Sequence, residues 1–421
     1  MKFFSIKKYT KEAQVTILGN KFSIKYDYEK QVAQNYAKKL KNLQNIYGKQ
    51  KIRVGFLVTE QAKWQYESLY QELEKSPFFE PVVLVSQLVG SHKGTKNFYK
   101  TIDECYDFFF KQGLNVRYAY DRIKKKYISV KNLGVDIIFY QQPWEVYKTH
   151  SPLVVSKYAL TCYVAYGMHL VDFNESYTTD FHQFLYLMFI ENEELIESFS
   201  KIINMTVSNC VATGYAKLDA YFLSDNKENK SDKPLVIYAP HHSFEKNGLN
   251  CATFQKNGID ILNLAKRYKN QIDWVFKPHP RFKSAVISNR IMSEKEINDY
   301  YEEWEAIGTI YDSGNYFGLF RQSAGMITDS ISFLGEYLPT GKPLFHLLGE
   351  KRPFNDFAKL FIDTFYQIEE YHELEDIFHK VIMEKQDEKY DERNSKISVL
   401  FDNKEKSATK IMNKLTSLMQ K

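Results

Sequence analysis

Short apolar segments that alternate with helical segments between Asp273 and Leu348 constrain the fold of this 421-residue chain more than any other feature. The runs Asp273–Lys277, Gly325–Asp329 and Lys342–Leu348 are too short for buried helices and are bounded by proline, glycine or polar residues, which is typical of buried strands. Strands that alternate with helices pair in parallel through right-handed crossovers. The segment therefore predicts a parallel sheet covered by helices.

Polar residues follow these strands at their carboxyl ends, where α/β sheets of this kind bind ligands. They are Lys277, His279 and Arg281 after the first strand, and Asp329, Ser330 and Ser332 after Gly325–Asp329. Ser330 is a favourable N-cap, and the first N–H groups of a helix attract anions. Glu336, further along the same helix, is placed to accept hydrogen bonds from ribose hydroxyls. The combination predicts a diphosphate-nucleotide pocket.

The first half of the chain repeats the alternation of strand and helix. Its predicted strands are Lys51–Val58, Glu80–Ser86, Gly134–Tyr140 and Leu160–Tyr166, and the apolar run Phe184–Ile190 is interpreted as a buried helix. Polar and aromatic residues again follow the strand ends, and we expect them to bind an acceptor. These candidates are Gln142, Trp144, Tyr166 and Gly167, and His169 is expected to point into the mouth of the same sheet.

A charged segment, Leu223–Lys233, separates the two halves and is predicted to be a linker. The next strand, Pro234–Ala239, ends in His241, His242 and Ser243. Two adjacent histidines can bind a metal, but without a carboxylate at ligand spacing they fit phosphate or substrate contact at least as well, so no metal site is expected. The predicted organisation is a basic leader at 1–50, an acceptor domain at 51–222, the linker at 223–233, a nucleotide-donor domain at 234–365 and C-terminal helices at 366–421.

Composition and charge limit the cellular compartment and the binding partners that are expected for this chain. No apolar run approaches the length of a membrane helix, no cleavage signal begins the chain, and the four cysteines are isolated, so a cytoplasmic protein is expected. Residues 1–50 carry 11 Lys and 3 acidic residues, while the rest of the chain sums to −3. This leader fits an anionic membrane surface and a solvated face equally well. It contains no Arg, which disfavours nucleic-acid binding.

Four segments resemble the CDP-glycerol glycerophosphotransferase family, which includes teichoic-acid polymerases and relatives in capsule gene clusters. They are Gly214–Asp219, Ala239–Ser243, Lys277–Pro280 and Ile327–Pro343, within a resemblance that covers roughly residues 134–348. The resemblance implies an α/β GT-B fold, with two Rossmann-like domains that face a cleft and C-terminal helices that cross back. The polymerases carry a His-Gly pair where this chain has Tyr166-Gly167, so His169 is the candidate replacement for that histidine.

The resemblance implies a transferase that moves glycerol phosphate from CDP-glycerol, or a related CDP-linked donor, to a polysaccharide or lipid-linked acceptor without a cofactor. It places Lys277, His279, Ser330 and Ser332 at the donor phosphates and Glu336 at the ribose. Together with the other residues at the strand ends, the predicted donor-binding residues are His242, Ser243, Lys277, Arg281, Asp329, Ser330, Ser332 and Glu336. The predicted catalytic residues are His279 and the candidate base His169. Two alternatives stay open: a GT-B glycosyltransferase that uses a nucleotide sugar, and a non-catalytic nucleotide-binding protein of an envelope-assembly complex.

Overall fold

A computed structural model describes residues 10–17, 20–87, 97–171, 179–202, 207–223, 231–244, 249–311, 316–350, 354–400 and 405–420. Most of the predicted linker and the turn after Tyr311 lie outside these ranges. The chain divides into two compact units. Unit 1 comprises Met1–Tyr166, Asn174–Lys217 and Ser407–Lys421, and unit 2 comprises Gly167–Phe173 and Leu218–Lys406.

Unit 1 is built on a seven-stranded parallel sheet with the order β11-β10-β9-β8-β3-β4-β5. Hairpin β1–β2 precedes it, and β6–β7 forms a small antiparallel pair. The strands are β1 Thr10–Ile17, β2 Asn20–Asp27, β3 Ile52–Val58, β4 Phe79–Val85, β5 Val116–Tyr118, β6 Tyr120–Asp121, β7 Lys126–Tyr127, β8 Ile137–Tyr140, β9 Leu160–Val164, β10 Leu187–Ile190 and β11 Cys210–Ala212.

The helices of unit 1 cover this sheet, and the last of them comes from the end of the chain. They are α1 Tyr28–Ile46, α2 Glu67–Lys75, α3 Asn97–Lys111, α4 Val130–Leu133, α5 Pro152–Val155, α6 Asp180–Gln183, α7 Glu193–Ser200 and α17 Ser407–Met419. Short 3₁₀ turns lie at Gln61–Lys63 and Lys148–His150. Helix α17 packs on α1 and α2, and the amide of Gln44 donates to the carbonyl of Leu418 at 2.9 Å.

Unit 2 contains a six-stranded parallel sheet with the order β14-β13-β12-β15-β16-β17. Its strands are β12 Leu235–Ala239, β13 Asp273–Phe276, β14 Gly308–Ile310, β15 Gly325–Thr328, β16 Leu344–Leu347 and β17 Tyr366–Ile368. Its helices are α8 Ala220–Leu223, α9 Phe254–Tyr268, α10 Phe282–Ser288, α11 Glu294–Glu305, α12 Phe317–Gln322, α13 Ile331–Tyr337, α14 Asp356–Lys359, α15 Tyr371–Phe378 and α16 Tyr390–Leu400. A 3₁₀ turn spans Ala216–Asp219, two more lie at Leu338–Thr340 and Ile362–Thr364, and a π-helix at His379–Met383 extends α15.

The interpretation of Phe184–Ile190 as a buried helix is wrong, because Leu187–Ile190 forms the interior strand β10. β10 pairs in parallel with β9 on one side and β11 on the other, and its four residues are buried. A strand covered on both faces is apolar throughout, so its periodicity does not separate it from a buried helix. Likewise, the range 366–421, expected to be helical, begins with the edge strand β17.

Parallel pairing fixes where the functional loops lie within each unit. All six strands of the unit 2 sheet run in one direction, so their carboxyl ends share one edge. The segments that leave β12, β13, β15 and β16 therefore start side by side. No helix among the described residues is long and apolar enough to cross a membrane.

Candidate functional site

Three histidines meet at the carboxyl edge of the unit 2 sheet. His241 and His242 follow β12, and His279 follows the neighbouring strand β13. The rings of His242 and His279 stack with centroids 3.9 Å apart, and the ring of His241 lies 5.1 Å from that of His279. The pairing of β12 with β13 thus brings together residues that are far apart in the sequence.

Backbone N–H groups determine the tautomers of two of these rings. Nδ1 of His279 accepts a hydrogen bond from the N–H of Arg281 at 3.1 Å, and Nδ1 of His241 accepts from the N–H of Ser243 at 3.2 Å. A neutral imidazole carries one ring proton, so in both residues it is on Nε2. Each ring therefore presents a hydrogen-bond donor from the side opposite its own loop.

The cluster stays uncharged near neutral pH. Burial, together with the neighbouring His242 ring, lowers the pKa of His241 to about 3. Burial and the charge of Arg281 lower the pKa of His242 to about 4. The pKa of His279 is lowered further, by burial and then by His242, His241, Arg281 and Lys277. The histidines therefore contribute N–H donors, and the positive charge nearby belongs to Lys277 and Arg281.

A metal ion is the other ligand that three imidazoles suggest, since their ligand atoms lie within 4.8 Å of one another. A metal requires an unprotonated ring nitrogen. In His241 and His279 the unprotonated Nδ1 already accepts a backbone N–H, and a metal at Nε2 would displace the only ring proton. The protonation pattern of the cluster fits an anion better than a cation.

Asp329 holds the loop that carries the first two histidines. One carboxylate oxygen accepts the N–H of His241 at 2.6 Å, and the other accepts the N–H and hydroxyl of Thr253 at 2.7 and 3.0 Å. The side chain is buried, which raises its pKa to about 6 even though these hydrogen bonds favour the ionised form. The folded-state pKa exceeds the ordinary value, so this carboxyl favours folding more as the pH falls below about 6. Asp329 was predicted as a donor ligand, and its observed partners are protein groups.

Lys277 connects the loop after β13 to the start of α13. Its side chain is buried, and Nζ lies over the rings of Tyr316 at 4.7 Å and Phe333 at 5.8 Å from the ring centroids. Cation–π contact offsets part of the cost of burying an ammonium group. Arg281, in contrast, is exposed at the start of α10. The loops at 277–281 and 330–333 therefore lie together at one edge of unit 2.

Helix α13 carries the remaining predicted donor residues. Ser330 occupies the N-cap position and is buried, but its side chain makes no capping hydrogen bond; its N–H donates to Thr328 Oγ1 at 3.0 Å. Ser332 is partly buried. Glu336 is buried, and its carboxylate accepts from the hydroxyl of Tyr316 at 2.5 Å. Glu336 thus has a protein partner at the place where the sequence predicted a ribose.

His169 was expected at the mouth of the first sheet. The segment that contains it, Gly167–Phe173, belongs instead to unit 2. The side-chain amide of Asn355 donates to the carbonyl of His169 at 2.8 Å, and the backbone N–H of Asn355 donates to the carbonyl of Leu170 at 3.0 Å. A β-bridge joins Val171 to Phe354. The sequence contains no local signal for this placement, because Asn355 is 186 positions away.

The other predicted acceptor residues lie in unit 1, apart from Gly167. Trp144 is half exposed, and its ring meets that of Tyr166 edge-on at 5.3 Å. Gln142 is buried and accepts from Lys63 Nζ at 2.8 Å. The hydroxyl of Tyr215 donates to the carbonyl of Tyr166 at 2.8 Å. Gln142, Trp144 and Tyr166 therefore form one group in unit 1.

A cavity of about 510 Å³ opens in unit 2 next to the site. Its lining includes Cys251, Ile331, His346, Leu348 and Phe354. The predicted site residues do not include Cys251 and His346, nor Thr253 and Asn355. His346 is a residue of the buried strand β16, where the expected role of a side chain is packing. Only the pairing of β16 with β17 places Gln367 beside it, with Oε1 3.0 Å from Nδ1 of His346.

Comparison with protein-family models gave no match, and comparison with curated proteins gave none. Among solved structures, the chain is similar to the wall teichoic acid polymerase TagF, with 13% identity, a TM-score of 0.56, and coverage of 93% of this chain and 98% of that chain. It is also similar to the UDP-GlcNAc 2-epimerase from Neisseria meningitidis bound to UDP-GlcNAc, with 14% identity, a TM-score of 0.54, and coverage of 87% and 100%. The S. aureus MnaA–UDP structure has 12% identity, a TM-score of 0.51, and coverage of 81% and 91%.

At these identities the likeness shows the fold. Each unit has the parallel sheet of a Rossmann-like domain, and the predicted α/β fold of the GT-B class is confirmed. The fold is shared by a polymerase and by epimerases, so it does not choose between their chemistries.

Proposed function

We propose that this chain is a transferase that moves glycerol phosphate from CDP-glycerol, or a related CDP-linked donor, to a hydroxyl of a cell-surface polysaccharide or teichoic-acid-like acceptor. The observation that carries the proposal is the convergence of His241, His242 and His279 at one sheet edge, where the charge of Lys277 acts on His279. The Nε2–H groups of His241 and His279 suit the oxygens of a diphosphate. Lys277 supplies the positive charge that the neutral imidazoles lack.

The structural neighbours support a nucleotide-linked donor. The MnaA structure contains UDP, the Neisseria epimerase contains UDP-GlcNAc, and one TagF structure was obtained with CDPG. The resemblance of segments 239–243, 277–280 and 327–343 to the glycerophosphotransferase family supports the cytidine-linked donor among these.

In the proposed reaction the acceptor oxygen attacks the phosphorus that bears glycerol, and a new P–O bond forms. The bond from that phosphorus to the bridging oxygen breaks, and CMP leaves with the electron pair. Lys277 and the imidazole N–H donors stabilise the charge on the donor phosphates, because phosphoryl transfer depends mainly on positioning and electrostatics. His169 is our candidate for the base that takes the hydroxyl proton.

The experiment incubates the purified protein with CDP-glycerol or with a panel of nucleotide sugars, each with candidate acceptors, and detects released CMP, UDP or GDP. We expect CMP from CDP-glycerol, and we expect His279→Ala to reduce its release at least 100-fold because a transition-state donor is lost. His372→Ala, an exposed histidine on α15, is the matched control and should keep normal turnover. Normal turnover by a folded His279→Ala protein would refute the assigned role.

The same assay tests His169 across pH. A general base must be unprotonated, so the rate should fall at acidic pH in the wild type. His169→Gln should lower the rate and remove that acidic limb. An unchanged acidic limb in His169→Gln removes His169 as the base and leaves the donor assignment intact.

The glycosyltransferase alternative predicts UDP or GDP in this assay in place of CMP. The non-catalytic alternative predicts that nucleotides raise the melting temperature while no donor and acceptor pair gives product. Both outcomes contradict the glycerophosphotransferase proposal, and they differ from each other in the released nucleotide.

A further inference from the structure

A second cavity, of about 20 Å³, lies at the carboxyl edge of the unit 1 sheet and has room for one water-sized group. Leu57 of β3, Ser86 after β4 and Tyr140 of β8 line it, together with much of the loop that follows β8. All of the described residues of this lining belong to unit 1. The candidate donor residues belong to unit 2, so this cavity is not part of the site that they form.

His150, in the 3₁₀ turn after β8, lines the cavity and contains an unused hydrogen-bond acceptor. Its Nε2 lies 2.7 Å from the carbonyl oxygen of Ile128, which only accepts, so Nε2 carries the ring proton. The ring is fully buried, and burial lowers its pKa, so it is uncharged at neutral pH. Nδ1 therefore has a free lone pair, and it has no hydrogen-bond partner among the residues that the structure describes. A buried acceptor costs free energy until a donor reaches it, so the site favours a ligand with a small donor such as a hydroxyl group.

Two exposed aromatic side chains line the same cavity. Trp144 is 42% exposed and Tyr147 is 38% exposed. The ring of Tyr147 stacks on that of Tyr127 with centroids 3.8 Å apart, and the ring of Trp144 is held edge-on by that of Tyr166. Fixed aromatic rings at the rim of a polar cavity suit a sugar, because its C–H groups pack on the rings while its hydroxyl groups meet the polar groups.

The charges around the cavity favour a neutral ligand. Of the described residues that line it, Glu145 alone is charged, and its carboxylate opposes an anion. Nζ of Lys63 lies 5.8 Å from the centroid of the Trp144 ring and opposes a cation there. That ammonium group is already paired with Glu60 at 3.0 Å and with Oε1 of Gln142 at 2.8 Å. A chain of glycerol phosphate units would therefore meet a carboxylate and no unpaired cation, whereas a neutral sugar meets no repulsion.

We propose that this cavity recognises a neutral sugar unit of the acceptor, with one sugar hydroxyl donating a hydrogen bond to Nδ1 of His150 and the sugar ring packing on Trp144 and Tyr147. The proposal rests on the proposed function for the existence of an acceptor. It goes further by choosing a neutral glycan over a teichoic-acid-like polyanion, and by assigning the recognition of one hydroxyl to His150.

The test measures binding of the full chain to an array of immobilised neutral oligosaccharides, built from hexoses and N-acetylhexosamines, and to synthetic hexa(glycerol phosphate). Calorimetry then measures the best neutral oligosaccharide in solution. We expect it to bind about tenfold or more tightly than hexa(glycerol phosphate), because of the charge at the cavity. Trp144→Ala should weaken its binding about tenfold, because the packing surface is lost. Tyr158→Ala, with a ring that is 37% exposed in unit 1, is the matched control and should keep the wild-type affinity.

Two substitutions of His150 separate recognition from folding. In His150→Gln the amide N–H₂ reaches as far as Nε2 and can donate to the carbonyl of Ile128, but no acceptor remains at the position of Nδ1. In His150→Asn the shorter amide offers its oxygen at the position of Nδ1 and loses the bond to Ile128. We expect His150→Gln to melt near the wild-type temperature and to bind about tenfold more weakly, a ratio that corresponds to about 1.4 kcal/mol. His150→Asn should melt at a lower temperature and keep most of its affinity while folded, whereas a purely structural role predicts that affinity follows the melting temperature.

Wild-type affinity in either folded His150→Gln or Trp144→Ala overturns the proposal, as does tighter binding of hexa(glycerol phosphate) than of any neutral oligosaccharide. If none of the neutral oligosaccharides binds, the proposal is also overturned, and the cavity is assigned to a water molecule.

These binding measurements use no donor, so they separate the proposal from the proposed function. Binding of a neutral oligosaccharide that gives no CMP release from CDP-glycerol supports the recognition role and overturns the transferase. CMP release that occurs with hexa(glycerol phosphate), while no neutral oligosaccharide binds, supports the transferase and overturns the recognition role.

Discussion

Asp329 shows how one side chain determines the geometry of the site. Its carboxylate accepts from the backbone of His241 and from Thr253, so it joins the carboxyl end of β15 to the loop after β12. A residue that acts through another is a positioning residue, and Asp329 is one for the histidine cluster.

We expect Asp329→Asn to lower the free energy of unfolding by about 3 kcal/mol, because the new amide N–H₂ would face donors at a buried position. Chemical denaturation at pH 7 measures the change. Asp299→Asn, an exposed position on α11, is the control and should change stability by less than about 0.5 kcal/mol. Equal, small losses in both variants would contradict the positioning role.

The positions of several site residues could be predicted from the sequence, but their chemical states could not. His279 and Lys277 follow a recognisable strand, and parallel pairing then places them at the ligand edge. The tautomer of His279 depends on the N–H of Arg281, and that of His346 depends on Gln367 in the next strand. These tautomers can be assigned only from the hydrogen bonds of the folded chain.

At the scale of elements, α13 packs closely against the segment 167–171 within unit 2. A Cβ added at Gly335 would lie 2.1 Å from Sδ of Met168 and 3.4 Å from Cδ1 of Leu170. Real side-chain carbons do not approach this closely, so glycine is required for the contact. The contact brings the segment that holds His169 against the helix that follows Asp329.

We expect Gly335→Ala to destabilise the protein by about 1–3 kcal/mol, which is typical of overpacking a buried contact. Met168→Ala should recover part of that loss in the double variant, because it removes the sulfur that the new methyl meets. Gly318→Ala in α12, where a Cβ meets open space, should be neutral or stabilising by up to about 1 kcal/mol. Additive effects of the Gly335 and Met168 substitutions would show that the close contact is absent.

Strands could be predicted where a short apolar run and the turn residues that bound it both indicated a strand. The strands β12, β13, β15 and β16 are short, apolar and bounded by turn residues, and each was predicted. Strand β10 was not, because a continuous apolar run has neither helical nor alternating periodicity. Strand β17 is three residues long and lies at an edge, so it contains too few positions to produce a pattern.

At the scale of the whole molecule, unit 1 is assembled from distant parts of the chain. Its core includes residues of α17 that are fully or nearly fully buried. These are Ala408, Ile411, Leu415 and Met419. The strand segments of both halves predicted two sheets. Membership of α17 in the first unit depends instead on contacts between residues as far apart in the sequence as Gln44 and Leu418, 374 positions.

We expect Leu415→Ala to cost about 2–5 kcal/mol in unfolding free energy, through lost burial and the cavity left behind. Ser417→Ala, an exposed neighbour on the same helix, is the control and should be close to neutral. Denaturation followed by circular dichroism measures both. If the Leu415 variant is as stable as the control, the buried residues of α17 do not stabilise the core of unit 1.

The placement of α17 has a consequence for how the protein is made. Domains commonly fold in order as they leave the ribosome, the N-terminal one first. Here the first sheet emerges early, yet the helix that completes its core follows the whole of unit 2 in the chain. Unit 2 can acquire its fold while unit 1 still exposes the apolar surface that α17 will cover. The apolar surface of unit 1 must therefore stay protected from aggregation, by the nascent chain itself or by a chaperone, until α17 has been translated.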